Sequence, residues 1–239
     1  MMPATHTEIE QIFLAAEAKQ CRSLCVTACD SGDGVTSVAT ALTERYLLAG
    51  RSVLLVDLNL FNSGFNDLAI DLESDSENHT FGHPSAKVTW LEQQSSKQVF
   101  TGIATPSTPS ELVQYSDPQC LAKYIEDWLQ SYDRIVIDTS PLLKVNRGNI
   151  PAQAVAQACQ FVLLVVLATH TTHNQLEQAK QLLEAHQTHL IGSVLNSVHQ
   201  PTLASEISRQ IKRLPLVPNR IKQKWIDKLH QMPLLLQRA

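Results

Sequence analysis

Ser23-Leu24-Cys25-Val26-Thr27-Ala28-Cys29-Asp30-Ser31-Gly32-Asp33-Gly34-Val35-Thr36-Ser37 sets the reading of the whole chain. A short apolar run comes first, then a loop of small residues, then the start of a helix near Gly34. In a phosphate-binding loop of the pattern G-x-x-x-x-G-K-[ST], backbone N–H groups and a helix N-terminus face an anion. Here Cys29 stands at the first glycine, Gly34 at the second, Val35 at the lysine and Thr36 at the hydroxyl. The turn and the hydroxyl are kept, while the ammonium that grips phosphate is missing. Gly32, Gly34, Thr36 and Ser37 are the loop residues expected to touch a nucleotide.

Two further apolar runs end in a carboxylate, Val53-Leu54-Leu55-Val56-Asp57 and Arg134-Ile135-Val136-Ile137-Asp138. Continuous runs of this kind predict buried parallel strands with the acid at the C-terminal edge, where open α/β sheets bind ligands. With Thr36, the acids Asp57 and Asp138 make a candidate Mg²⁺ site. Outward from these strands the pattern alternates. Helices are predicted over 8–18 (Ile9, Ile12, Phe13 and Ala16 on one face), 34–49 (stopped by Gly50), 120–130, 150–158 and 174–185. Strands are predicted over 98–103, 161–167 and 190–195. Thr105–Leu112 reads as a proline-marked turn entering a helix with Ser110 as N-cap. From 61 to about 95 the pattern weakens, and the acidic stretch 71–83 reads as an exposed loop. The expected fold is one doubly wound, mainly parallel sheet with helices on both faces. It should span residues 1–203, with a basic helical tail over 204–239 whose helices lie at 203–213 and 219–231.

The 239 residues are 44% hydrophobic and 18% charged, enough for a sizeable core, and the net charge of −4 argues against a nucleic-acid binder. The charge is uneven: from Ala204 onward eight Lys/Arg face two acids, leaving a net −10 on the preceding body. The basic helix 219–231 carries Ile221, Trp225, Ile226 and Leu229 on one face. It suits either packing on the sheet or an anionic membrane surface or acidic partner. Cys21, Cys25, Cys29, Cys120 and Cys159 are odd in number and read as buried reduced thiols of a cytosolic protein. No apolar signal segment is evident, and the longest apolar run, Phe161–Ala168, is far short of the ~20 residues a spanning helix needs. The chain is therefore expected in the cytoplasm, at most peripheral at the inner face of the membrane. His170 and His173 read as part of a polar strand-to-helix loop, with no third metal ligand evident.

These motifs, over roughly residues 8–197, resemble the cytoplasmic domain of bacterial tyrosine autokinases of capsular and exopolysaccharide synthesis, within the deviant Walker A ATPases. The Walker A′ strand resembles Val53–Phe61, the "PPNPSELL" turn resembles Thr105–Leu112, Walker B resembles Tyr132–Pro141, and the late "GxVLN" resembles Gly192–Asn196. The resemblance implies ATP or ADP with Mg²⁺ as ligand and Asn196 facing the base. It also implies homo- or hetero-oligomers and a membrane-embedded polysaccharide copolymerase or other envelope-machine protein as partner. The departures bear on activity. Val35 replaces the phosphate lysine, Asn59 the second Walker A′ acid and Phe61 the following arginine, and Arg147 stands where an acid is usual. All four tyrosines (Tyr46, Tyr115, Tyr124, Tyr132) lie in the body, away from the tail that those kinases phosphorylate. Loss of a charge-assisted hydrogen bond worth roughly 1.5–3 kcal/mol weakens phosphate binding about ten- to hundredfold. No catalytic residue is therefore assigned, and any nucleotide should be held weakly. The leading expectation is a non-enzymatic scaffold or regulator of polysaccharide polymerisation and export. The alternatives are a slow ATPase or kinase completed by a neighbouring subunit, and a pseudo-ATPase positioning a pilus or secretion complex.

Overall fold

The computed structural model describes residues 5–60, 88–92, 99–106, 108–144, 148–168, 170–197, 203–213 and 219–229. Two compact units emerge: Met1–Leu167 with Thr171–Asn196, and Ala168–His170 with Ser197–Ala239.

The larger unit begins with α1 (Thr7–Ala18), β1 (Ser23–Ala28), α2 (Val35–Leu48) and β2 (Val53–Leu58). The chain continues through β3 (Val88–Glu92), β4 (Val99–Ile103), α3 (Pro109–Ser116), α4 (Pro118–Trp128) and β5 (Arg134–Thr139). It closes with α5 (Ala152–Ala158), β6 (Phe161–Leu167), α6 (His173–Ala185) and β7 (Leu190–Asn196). The strands form one seven-stranded sheet in the order β3-β4-β2-β5-β1-β6-β7. Six strands run parallel, and β3 pairs antiparallel with β4 at the edge. The mainly parallel, doubly wound sheet expected from the sequence is thus present. β3 is an addition, because the stretch around it gave no usable pattern. The expected exposed loop 71–83 lies outside the described residues, as do Phe61 and Arg147.

Residue alternation along each strand builds the two faces. Leu24, Val26 and Ala28 of β1, with Val53 and Leu55 of β2, pack with Ile9, Ile12, Phe13, Val38 and Leu42 from α1 and α2. Cys25 of β1, with Leu54, Val56 and Leu58 of β2, packs on the other side with Leu121, Ile125 and Trp128 of α4 and Val155 of α5. Burying each Val, Leu, Ile and Phe among these side chains stabilises the fold by about 1.5–3 kcal/mol.

Helix ends follow local chemistry. Gly50, at φ +75, terminates α2: its N–H donates to Leu47 O at 2.9 Å and the Arg51 N–H to Tyr46 O at 3.1 Å, a left-handed C-terminal cap. Thr108, not Ser110, caps α3. The Glu111 N–H donates to Thr108 Oγ1 while Glu111 Oε2 accepts from the Thr108 N–H, and Pro109 occupies the first helical turn. A proline tolerates that first position because its missing N–H would have no helical partner there, which moves the cap one residue upstream of Pro109. Asp117 caps α4 by accepting from the Gln119 and Cys120 N–H groups, and Thr172 caps α6 through a reciprocal pair with Gln175. All five cysteines are free thiols; Cys120 is half-buried rather than buried because α4 turns it partly to solvent.

The smaller unit contains α7 (Leu203–Arg213) and α8 (Asn219–Leu229), linked by a hydrogen bond from Lys222 Nζ to Lys212 O at 3.2 Å. On α8, Ile226 is buried and Trp225 exposed. The expected extension of this helix to Gln231 lies outside the described residues. No described helix is long and apolar enough to cross a membrane.

Candidate functional site

The sheet order places β5 between β1 and β2, so the C-terminal ends of these three strands meet at one edge. After β1, the loop from Cys29 enters α2 through Gly32 at φ +86 and Gly34 at φ +100, conformations that favour glycine. At Gly34 a Cβ would also overlap Asn196 Nδ2. That amide comes from the end of β7 and donates to Asp33 O at 2.8 Å. Asn196 therefore braces the loop backbone from across the sheet.

The candidate Mg²⁺ ligands lie side by side at this edge. Asp57 and Asp138 are register partners on β2 and β5, and both are fully buried. Thr36 Oγ1, in the first turn of α2, donates to Asp138 Oδ2 at 2.5 Å. Asp138 Oδ1 is buried and has no hydrogen-bond partner among the described residues. Burial, then the neighbouring Asp57 charge, pushes the Asp138 carboxyl well above its ordinary value, and the Thr36 hydroxyl only partly offsets this. Two carboxylates and a hydroxyl are hard oxygen donors suited to Mg²⁺, which would also relieve their repulsion. Asn59, at the second acid's position, is buried, and its N–H donates to Asp57 Oδ1 at 2.9 Å.

The phosphate side does not fit a phosphate as arranged. Val35 is only 7% exposed and packs into the core shared by α1 and α2. The loop's own carboxylates accept from two of its amides. The Ser31 N–H donates to Asp30 Oδ1 at 2.6 Å and the Asp30 N–H to Asp33 Oδ2 at 3.2 Å. Asp33 is fully buried, and Thr171 Oγ1 reaches its Oδ2 at 3.5 Å. Lys144, from the segment after β5, forms an ion pair with Asp30 Oδ1, and its Nζ donates to Ser31 Oγ at 3.4 Å. Gly32 is exposed, and Thr36 and Ser37 are half-buried on the first turn of α2. Burial first, then the charges of Asp33 and Asp30, push the Cys29 thiol up to about 11, so it is no nucleophile at neutral pH.

The structure thus gathers Gly34, Thr36, Asp57, Asp138 and Asn196 around one edge. Sequence reasoning missed Asp33, Thr171 and Lys144. Asp33 had a signal, a carboxylate flanked by two glycines in an anion-binding turn. Lys144 had none, since it lies 113 residues from Ser31. His173 opens α6 and His170 precedes it; among the described residues, no cluster of three His, Cys, Asp or Glu could hold a metal.

The sheet order, the glycine turn and the paired strand-end acids define a chain with the P-loop nucleotide-binding fold. No protein-family model matches the chain. Its homologues are bacterial tyrosine-protein kinases. It is 28% identical over 199 residues to CapB of Staphylococcus aureus, covering 78% of this chain and 80% of that one. It is 26% identical over 193 residues to the tyrosine-protein kinase YwqD of Bacillus subtilis, covering 77% and 76%. Among solved structures, the kinase domain of the Escherichia coli tyrosine kinase ETK superposes with a TM-score of 0.60 at 21% identity, covering 81% of this chain and 77% of that one. The septum site-determining protein MinD of Pyrococcus horikoshii, complexed with Mg-ADP, gives 0.52 at 17%, covering 86% and 77%.

Proposed function

We propose that this chain is a catalytically degenerate relative of the bacterial tyrosine kinases, acting as a non-enzymatic scaffold or regulator of exopolysaccharide or capsule polymerisation and export. It binds a membrane-embedded copolymerase-type partner from the cytoplasmic side. One observation supports this reading above the others: the lysine position is a core valine, and carboxylates of the loop itself accept from its Asp30 and Ser31 amides. Phosphoryl transfer depends on electrostatic stabilisation of the moving phosphoryl group, and an anionic loop with no lysine opposes it. Tyr46 and Tyr115 are buried, which removes them as accessible phosphate acceptors. In this reading Gly32, Gly34, Thr36, Ser37 and Asn196 form a vestigial nucleotide cradle. Thr36, Asp57 and Asp138 form the accompanying Mg²⁺ site, and any Mg-ATP or Mg-ADP binds weakly. The domain spans residues 1–203, and the basic tail 204–239 offers contacts to the partner or to an anionic membrane surface.

The test is hydrolysis of labelled ATP by the purified protein with Mg²⁺. The scaffold reading predicts no turnover above that of an Asp138→Ala variant; turnover lost in that variant overturns it.

A second reading has one observation in its favour. Asp57 and Asp138 stand in register with Thr36 hydrogen-bonded to Asp138, the oxygen donors that an ATPase finished by a neighbouring subunit or partner would keep for Mg²⁺. It predicts ATP turnover that appears when the partner is added.

A further inference from the structure

Among the described residues, the cation that reaches the phosphate-binding loop is Lys144, and the fold fixes where it stands. Thr27 Oγ1 donates to Ser140 O at 3.0 Å, and the Leu142 N–H donates to Ala28 O at 2.9 Å. Leu142 is fully buried, and its carbonyl accepts from Gln153 Nε2 at 3.1 Å. The segment leaving β5 is thereby fastened to the end of β1. Two residues beyond that fastening, Lys144 arrives beside the loop that leaves β1.

What Lys144 meets there is a carboxylate in the role of an anion. Asp30 Oδ1 accepts from the Ser31 N–H at 2.6 Å and the Ser31 hydroxyl at 3.3 Å, and pairs with the Lys144 ammonium. A backbone N–H, a hydroxyl and an ammonium converging on one oxygen form the donor set that grips a phosphate oxygen. The same turn leads into the first turn of α2. There Thr36 holds one oxygen of Asp138, whose other oxygen is buried without a partner among the described residues.

We propose that Lys144 is the phosphate-binding cation of this cradle, standing in for the lysine replaced by Val35, and that Asp30 is the intramolecular anion that occupies it. The ligand class is the diphosphate of a nucleotide, admitted when the Asp30 carboxylate gives way. This rests on the reading of the loop as a degenerate nucleotide cradle. The Lys144 side chain is 55% exposed and that of Asp30 16%, so their ion pair is weak and a multiply charged diphosphate competes for the ammonium. Asp33 has a different role. Fully buried and tied to the Asp30 N–H and Thr171, it shapes the turn and stays in place.

Calorimetric titration of the full chain with Mg-ADP tests the proposal in four forms: wild type, Asp30→Ser, Asp30→Asn and the double variant Asp30→Ser/Lys144→Ala. Removing the competing charge should tighten binding about tenfold or more over wild type, the scale of one charge-assisted contact. The double variant should lose that gain. Inorganic pyrophosphate in place of Mg-ADP should show the same order, since the diphosphate carries the contact. Binding by both Asp30 variants no tighter than wild type overturns the proposal, as does a gain that survives Lys144→Ala. Should Asp30→Ser fail to fold by circular dichroism, Asp30→Asn alone and combined with Lys144→Ala is judged by the same criteria. ATP turnover by the wild type would overturn the scaffold reading without touching this comparison. A flat response to the Asp30 variants would remove the role of Lys144 and leave the scaffold reading intact.

Discussion

Asp57 and Asp138 face each other in register on adjacent strands, both fully buried, and Thr36 is hydrogen-bonded to Asp138. Two carboxylates so placed repel one another, and burial penalises their charge. Asp138 is accordingly raised above the ordinary carboxyl range. A carboxyl whose folded value lies above its unfolded one contributes stability that is complete below the unfolded pKa, near 3.9, and is lost as pH rises through the folded pKa. Asp138→Asn keeps an acceptor for Thr36 and removes the charge. At pH 7 to 8 the variant should therefore melt higher than wild type by about 2–4 °C per kcal/mol relieved. The difference should vanish as the pH approaches about 4. Mg²⁺ should raise the melting temperature of wild type and leave Asp138→Asn nearly unchanged.

Gly34→Ala tests the brace between the loop and β7. The substitution forces a Cβ into a φ of +100 and against the Asn196 side chain. The expected cost is about 1–3 kcal/mol of stability, read by chemical denaturation. Asn196→Ala removes the clash but not the backbone strain. In a double-mutant cycle the two substitutions should therefore cost less together than the sum of each alone.

Glu17 anchors α1 to the start of β5. It accepts from Arg134 Nε at 3.0 Å and pairs with Arg51 Nη2 at 3.0 Å. Burial pulls the Glu17 carboxyl up, but the hydrogen bonds and charges of Arg134 and Arg51 hold it below its ordinary value. A depressed carboxyl contributes stability above its unfolded pKa, near 4.3, that is lost as pH falls through the folded value. Glu17→Gln should therefore cost about 1 kcal/mol at pH 7, and the cost should shrink below pH 4 in a series of thermal melts.

Thr108→Ala separates the two candidate caps of α3. Loss of the reciprocal Thr108–Glu111 pair should cost about 1 kcal/mol, whereas Ser110→Ala should stay within about 0.5 kcal/mol. Equal costs for the two variants would mean that the cap has been misplaced.

Much of this architecture was legible because it is local. The apolar runs ending at Asp57 and Asp138 became adjacent parallel strands, and the helical stripe of Ile9, Ile12, Phe13 and Ala16 became the buried face of α1. Gly50 ended α2 through a left-handed cap visible in the residue type alone. The edge strand β3 escaped because its five residues sit in a stretch without period, and its pairing with β4 supplies the order. Asp33 and Lys144 escaped for a different reason. Asp33 is oriented by Thr171, and Lys144 by the fastening of Leu142 to Ala28, contacts between residues more than a hundred positions apart. The missing lysine could be read from one position; the approach of Lys144 to the loop could be read only from the folded chain.

With Val35 at the lysine position and Asp30 and Asp33 bonded to the Ser31 and Asp30 amides, the cradle should hold a nucleotide poorly. Calorimetric titration of the wild-type chain with Mg-ADP at physiological ionic strength decides it. Binding should be no tighter than about 1 mM, the consequence of losing a charge-assisted grip and adding a like charge. Saturable one-to-one binding at about 1 μM would contradict it.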